Sequence, residues 1–202
     1  MKKCISATLA IATASILTTA LVCAAPEAPE KVLGKLKPVE ASKDLELPTG
    51  RDTSAPVQQG RYLVGLLGCA SCHTDGALIG KPDPARTLAG SRIGIAYSSP
   101  MVNEFPGAVY PGNLTPHRET GIGNWSEDDI VDMLRSGRNR HGRQTLSIMP
   151  WTSYGQLSDD DALAIARYLK SLAPVEHRVP ARVMPGQPTR TPLVHVGLYR
   201  SP

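Results

Sequence analysis

The stretch that most restricts this chain is Cys69-Ala-Ser-Cys72-His73. Two thiols three positions apart, with an imidazole beside the second, suit three chemistries: part of a zinc site, a redox dithiol, or the attachment point of a covalent haem. Each asks something different of the remaining sequence. Structural zinc wants four Cys or His ligands. A thioredoxin-like dithiol wants a βαβ setting. A haem tether wants a helix that delivers the motif, and it suits an exported protein.

The N-terminus reads as an export signal. Lys2 and Lys3 precede an apolar stretch from about Ile5 to Val22, and Val22-Cys23-Ala24 places small residues where signal peptidase cuts. Six Ser and Thr residues in that stretch make it a poor permanent span, which wants about 20 mostly apolar residues. Ala20-Leu21-Val22 is a poor lipobox for Cys23, so the lipoprotein reading is the weaker one, as is an uncleaved anchor. Residues 1–24 are therefore expected to be a signal peptide, with a periplasmic destination. Cleavage there removes Cys4 and Cys23, leaving Cys69 and Cys72 as the whole thiol complement. His117, His141, His177 and His195 show no paired ligand spacing, so zinc lacks its other ligands.

Composition narrows the class further. Lys and Arg number 22 against 18 Asp and Glu, and two of the lysines fall in the signal. That near-balance excludes nucleic acid as a partner, which needs concentrated basic surface. Aromatic residues make up 4%, with a single Phe at 105, which suits a core partly filled by a non-protein group.

Residues 25–56 hold Pro, Glu and Lys without sustained period and read as an extended leader. From Val57 the pattern changes. Tyr62 with Leu66 and Leu63 with Leu67 are i,i+4 pairs, predicting a helix that runs into Cys69. Gly60, Gly65 and Gly68 lower its propensity and point to close approach by another element. Residues 74–123 are rich in Gly and Pro and are expected to wrap something. Two helices follow, each opened by a Ser-x-x-Asp cap, Ser126 to Asp129 and Ser158 to Asp161. Ile130, Met133 and Leu134 stripe the first; Ala162, Ile165, Leu169 and Leu172 stripe the second, which Pro174 stops. Residues 176–202 read as a Pro-rich extended tail. With no βαβ alternation, the expected fold is all-α with long loops, its domain spanning 57–175.

In that setting the haem reading of Cys69-Ala-Ser-Cys72-His73 is the strongest. Two thiols one helical turn apart can add to the two vinyl groups on one porphyrin edge, and the adjacent imidazole falls under the iron. One motif implies one covalent haem c. A methionine is the common ligand on the other face, where it raises the potential. Met133 reads as core and Met184 as tail. Met101 lies in a loop and stays open. Met149, in Ser147-Ile-Met-Pro-Trp151, precedes a proline that biases it to extended backbone, and it is the favoured sixth ligand.

With these residues assigned, the chain resembles a class I cytochrome c: helix, Cys-x-x-Cys-His, a late Met-Pro, and a terminal helix carrying Tyr168-Leu169. That resemblance implies an all-α fold in which the first and last helices cross beside the haem, Gly60 approaching Tyr168. A narrower likeness lies in "GRYLVGLLGCASCHT", "LAG", "GNLTPHRETGIGNWSEDDIVDMLRSG" and "MPWTSYGQLSDDDALAIARYLKSLAPV". These are similar to the cytochrome subunits of periplasmic, membrane-associated dehydrogenases for alcohols, aldehydes and sugar acids. The likeness implies that Asn113 and Trp125 border the haem pocket. Two departures stand out. Those subunits usually carry two or three haem motifs, and this chain has one. The family's Pro-x-Leu-x-Gly, whose Pro carbonyl accepts the axial His N–H, is replaced by Arg86-Thr-Leu88-Ala-Gly90, with Pro82 or Pro84 as substitute acceptors.

The expected function is a periplasmic mono-haem electron carrier, not itself an enzyme. It would take single electrons from a dehydrogenase and pass them to an oxidase or another cytochrome, any membrane association being indirect. The rival is a haem enzyme or small-gas binder with an open sixth position, for which His117, His141 and Arg143 are the available acid-base groups. Arg135, Arg138, Arg140 and Arg143 form a basic run suited to an acidic partner, a solvated loop or a haem propionate.

Overall fold

Apolar residues recur through residues 57–64 at helical spacing, and Pro56 suits a first turn whose N–H groups are unpaired in any case. Helix α1 runs over Ala55–Leu66 accordingly. The computed structural model of this 202-residue chain describes residues 45–98, 105–142, 144–146 and 148–195. The signal peptide, Met101 and Arg143 lie outside those residues. Val57, Gly60, Leu63 and Val64 form the buried stripe of α1. Of the two i,i+4 pairs, Leu63 with Leu67 faces inward, whereas Tyr62 and Leu66 are 61% and 66% exposed. Consecutive pairs sit about 100° apart around a helix, so one stripe cannot hold both.

Gly68, at φ +69, turns the chain out of α1 and into α2, Cys69–His73. Helices α3 (Glu127–Ser136), α4 (Trp151–Tyr154) and α5 (Asp159–Ser171) complete the helical set. Both expected caps are present. Ser126 and Asp129 make the reciprocal capping box on α3, and Ser158 accepts from the Asp161 N–H on α5. Helix α1 packs on α5, and α5 on α3. Val57, Val64, Leu88, Ile130, Leu134, Ile165, Tyr168 and Leu169 make one continuous core.

The α1–α5 crossing depends on a missing side chain. A Cβ on Gly60 would overlap the Ala164 carbonyl and stand 2.8 Å from Cβ of Tyr168. Tyr168 is fully buried and donates its hydroxyl to the Pro48 carbonyl at 2.7 Å. Leu45 and Leu47, within the expected leader, pack on the same core, and Arg61 donates to the Leu47 carbonyl at 2.8 Å.

The expectation of an all-α chain needs one correction. Strands β1 (Gly94–Ala96), β2 (Ala108–Val109) and β3 (Leu193–His195) form a small sheet in the order β2-β1-β3. β1 pairs antiparallel with β2 and parallel with β3. Its source is the apolar run Ile93-Gly-Ile-Ala-Tyr97, too short to show a period between glycines and prolines. The segment after Pro174 runs extended along this region: Ala108 and Val183 exchange backbone bonds, and Arg182 stacks over Tyr97 at 4.7 Å. Among the described residues no helix is long and apolar enough to cross a membrane.

Gly60→Ala tests the crossing. Alanine would gain up to about 1 kcal/mol of helix propensity. The backbone overlap should outweigh this for a net loss of about 2 kcal/mol or more, measured by denaturant unfolding of the haem-loaded protein.

Candidate haem site

The site starts from Gly68, whose positive φ lets the chain leave α1 and begin α2 within one residue. Cys69 and Cys72 then stand one turn apart, both free thiols and both half-buried, with Cys69 against the hydrophobic core. Burial pushes the Cys69 thiol up to about 11 and raises Cys72. A redox dithiol needs the opposite, a lowered pKa, so these are not activated thiols. Among the described residues no three His, Cys, Asp or Glu side chains converge as a metal cluster.

His73 donates from Nδ1 to the Gly112 carbonyl at 2.7 Å. A carbonyl only accepts, so Nδ1 carries the proton and Nε2 keeps its lone pair for a metal. Burial lowers the pKa of His73, the Gly112 bond pulling it partly back, which favours the neutral ligand form. The acceptor is therefore Gly112, and neither Pro82 nor Pro84. Residues 88–92 serve a different purpose: Gly90 N–H donates to His73 O at 2.8 Å, Leu88 N–H to Thr74 Oγ1 at 3.2 Å, and Arg92 N–H to Asp75 Oδ1 at 2.9 Å. Leu88 is fully buried at φ +61, a strained backbone costing on the order of 1–3 kcal/mol.

Asn113 follows the acceptor, and its side chain is engaged entirely within the protein. Oδ1 accepts from Thr115 N–H at 2.9 Å and from the Thr115 hydroxyl at 2.7 Å. Nδ2 donates to Val175 O at 2.8 Å and Thr120 Oγ1 at 3.2 Å. Trp125 is half-buried against the core, and its carbonyl accepts from Lys170 Nζ at 2.7 Å. Of the three methionines among the described residues, Met149 packs on the same core cluster as Cys69. Met184 is 51% exposed, and Met133 takes a contact from the Thr145 hydroxyl at 3.6 Å.

Two residues of the site carried no sequence signal. Tyr154 on α4 donates to the Leu67 carbonyl at 3.3 Å, tying the segment after Met149 to the end of α1. Burial, then the neighbouring Cys69 and Cys72, push its hydroxyl up to about 12. The Trp151 indole N–H, two residues past Met149, is buried with no partner among the described residues. Free thiols one turn apart, an unprotonated Nε2, an apolar wall with a thioether, and an unused buried donor fit a covalent haem. The rival acid-base groups are placed otherwise. His117 is engaged through Nδ1 by Thr120 and His141 is exposed, while Arg143 lies outside the described residues.

Asp75, 5% exposed, accepts from Arg92 N–H and Nε at 2.9 Å each and pairs with its guanidinium at 2.8 Å. Burial alone would raise its pKa. The Arg92 hydrogen bonds, then the Arg92 and His177 charges, outweigh this and hold it below the usual carboxylate range. A depressed folded-state pKa adds stability above the ordinary value and loses it as pH falls through the folded one. Asp75→Asn should therefore cost about 1–2 kcal/mol at neutral pH, modest because the Arg92 side chain is 56% exposed and screened. The gap to wild type should close below about pH 4 in acid-unfolding curves. Asn113→Ala, which strands several buried partners, should cost about 3 kcal/mol in denaturant unfolding across the neutral range.

The sequence is similar to those of known proteins. The family model for cytochrome c matches residues 57–173. The chain is 33% identical over 140 residues to the fructose dehydrogenase cytochrome subunit of Gluconobacter japonicus, covering 68% of this chain and 26% of that one. It is 39% identical over 117 residues to the gluconate 2-dehydrogenase cytochrome c subunit of Pantoea cypripedii, covering 56% and 25%. It is 34% identical over 135 residues to a nicotinate dehydrogenase subunit of Pseudomonas putida, covering 67% and 10%. The chain thus matches about a quarter or less of the length of these relatives. A match over more than half of this chain, built around a helix-delivered Cys-x-x-Cys-His, places it in the cytochrome c family, whose haem c is bound covalently.

Proposed function

We propose that the chain is an exported, periplasmic, mono-haem electron-transfer domain of the class I type. It receives single electrons from a dehydrogenase and passes them towards the respiratory chain. The observation that carries the reading is the His73 imidazole, fixed by Gly112 with Nε2 left to ligate, directly after two free thiols on one helical turn. The relatives' names supply the partner class: cytochrome subunits of fructose and gluconate dehydrogenases, and of quinone-dependent alcohol dehydrogenase in Gluconobacter oxydans. A di-haem cytochrome of Cereibacter sphaeroides is also similar, 35% identical over 130 residues, but this sequence holds one attachment motif.

Haem, once attached, supplies the one-electron couple. The polypeptide does the rest. Cys69 and Cys72 would tether the group, and His73 Nε2 and the Met149 thioether would hold its iron. Holding both ligands in both oxidation states limits rearrangement on transfer. Leu88, Leu134 and Ile165 belong to the apolar core against which Cys69 and Met149 pack, and that core would keep water from the group. Asn113 serves by holding the acceptor loop, and Trp125 by lining the core. Membrane contact is through the partner complex.

Purified protein should carry haem that survives denaturation, lost when Cys69 and Cys72 are both replaced by Ala. The reduced spectrum should be low-spin and unchanged by carbon monoxide. Met149→Ala should yield a species that binds carbon monoxide, at a lower reduction potential, because thioether ligation raises it. Carbon monoxide binding by the unaltered protein would instead establish an open sixth position and overturn the carrier reading.

A further inference from the structure

The family match ends at residue 173, and the next few residues return to the axial histidine. Val175 N–H donates to Thr115 Oγ1 at 3.1 Å, and its carbonyl accepts from Asn113 Nδ2 at 2.8 Å. His177, 7% exposed, donates its backbone N–H to Thr120 Oγ1 at 3.2 Å. Its Nδ1 donates to the Ala89 carbonyl at 2.9 Å, and Nε2 stands 3.6 Å from the Asp75 carboxylate. Residues 175–177 thereby join the two sides of His73. One side is the Gly112–Asn113 turn that accepts the imidazole proton. The other is the 88–92 segment bonded residue by residue to His73, Thr74 and Asp75.

The turn that presents the Gly112 carbonyl is held by the hydrogen bonds of its neighbours. Those are Ser91 N–H to Pro111 O at 3.0 Å, the Asn113 and Thr115 bonds to Val175, and the Leu114 N–H to Leu88 O at 2.8 Å. Thr115, 1% exposed, is central: its hydroxyl donates to Asn113 Oδ1 and accepts from Val175 N–H.

The geometry points to residues 175–177 as a clamp that presses the Gly112 carbonyl onto His73 Nδ1, with Thr115 and His177 as positioning residues, and that thereby sets the reduction potential. The inference rests on the axial role of His73 proposed above. A carbonyl accepting the ring N–H makes the imidazole a stronger donor, and a stronger donor favours the oxidised, more positive iron. Loosening the clamp lengthens that bond, weakens the donor and raises the potential.

Thr115→Val tests this without changing charge. In the full haem-loaded protein it should raise the potential so that reduction is favoured about three- to tenfold, roughly 30–60 mV at 59 mV per tenfold for one electron. It should also speed hydrogen exchange at the His73 ring N–H, followed by NMR of the reduced protein. Thr115→Ser, which keeps the hydroxyl, should restore both. Should Thr115→Val not fold, Thr120→Val, at a half-buried site, should move both readouts the same way by less. A lower melting temperature with unchanged potential and ring exchange would overturn the inference while the wild-type low-spin spectrum left the axial reading standing. A wild-type protein without a His-ligated low-spin haem would overturn both.

Discussion

The hydrogen bond from His73 Nδ1 to the Gly112 carbonyl joins positions 39 residues apart and settles which ring nitrogen carries the proton, leaving the Nε2 lone pair free. Everything else in the site serves one of its ends. On the donor side, α1 and the positive-φ Gly68 aim α2, so the imidazole leaves the helix at its last residue. On the acceptor side, no local secondary structure is available to fix a glycine carbonyl. The chain fixes it through Asn113, whose four hydrogen-bonding positions all stay within the protein. An imidazole held at 2.7 Å by a loop carbonyl has its ring orientation fixed, which is what the axial role proposed for it would require.

The second constraint is the contact of α1 with α5. It is steric where the first is polar: two backbones meet at Gly60 and Ala164 because one side chain is absent. The crossing places Tyr168 in the core, and its hydroxyl, reaching Pro48, draws residues ahead of α1 onto the domain. The two constraints converge at Leu88. Its side chain belongs to the helical core, and its strained backbone bonds both Thr74 and Leu114, on either side of the His73–Gly112 pair. Strain at one residue persists because the core and two loops together determine its position.

Legibility followed the range of the interaction. The helix caps at Ser126 and Ser158 were readable because a cap and its N–H partners lie within three residues. The single turn carrying Cys69, Cys72 and His73 was readable because it follows directly on the i,i+4 pattern of α1. The Gly60–Tyr168 approach came from resemblance, and the structure has it. What escaped were pairings between irregular segments. The strand at 94–96 is three residues long and finds its partners at 108–109 and 193–195. The imidazole acceptor was sought among prolines near His73 and is found past a turn with no periodicity. The bond from the Asn113 side chain to the Val175 carbonyl, 62 residues on, is another such pairing.

By itself the sequence determined the local features: a Cys-x-x-Cys-His turn at the end of an amphipathic helix, two capped helices, and a late Met-Pro. Each depends on residues a few positions apart, where spacing and geometry are nearly the same thing. Only the tertiary structure decided which carbonyl takes the His73 proton, which stripe of α1 is buried, and what becomes of the chain after Pro174. Those outcomes depend on which distant groups share a buried space, and a buried polar atom takes whichever partner the packing brings within reach.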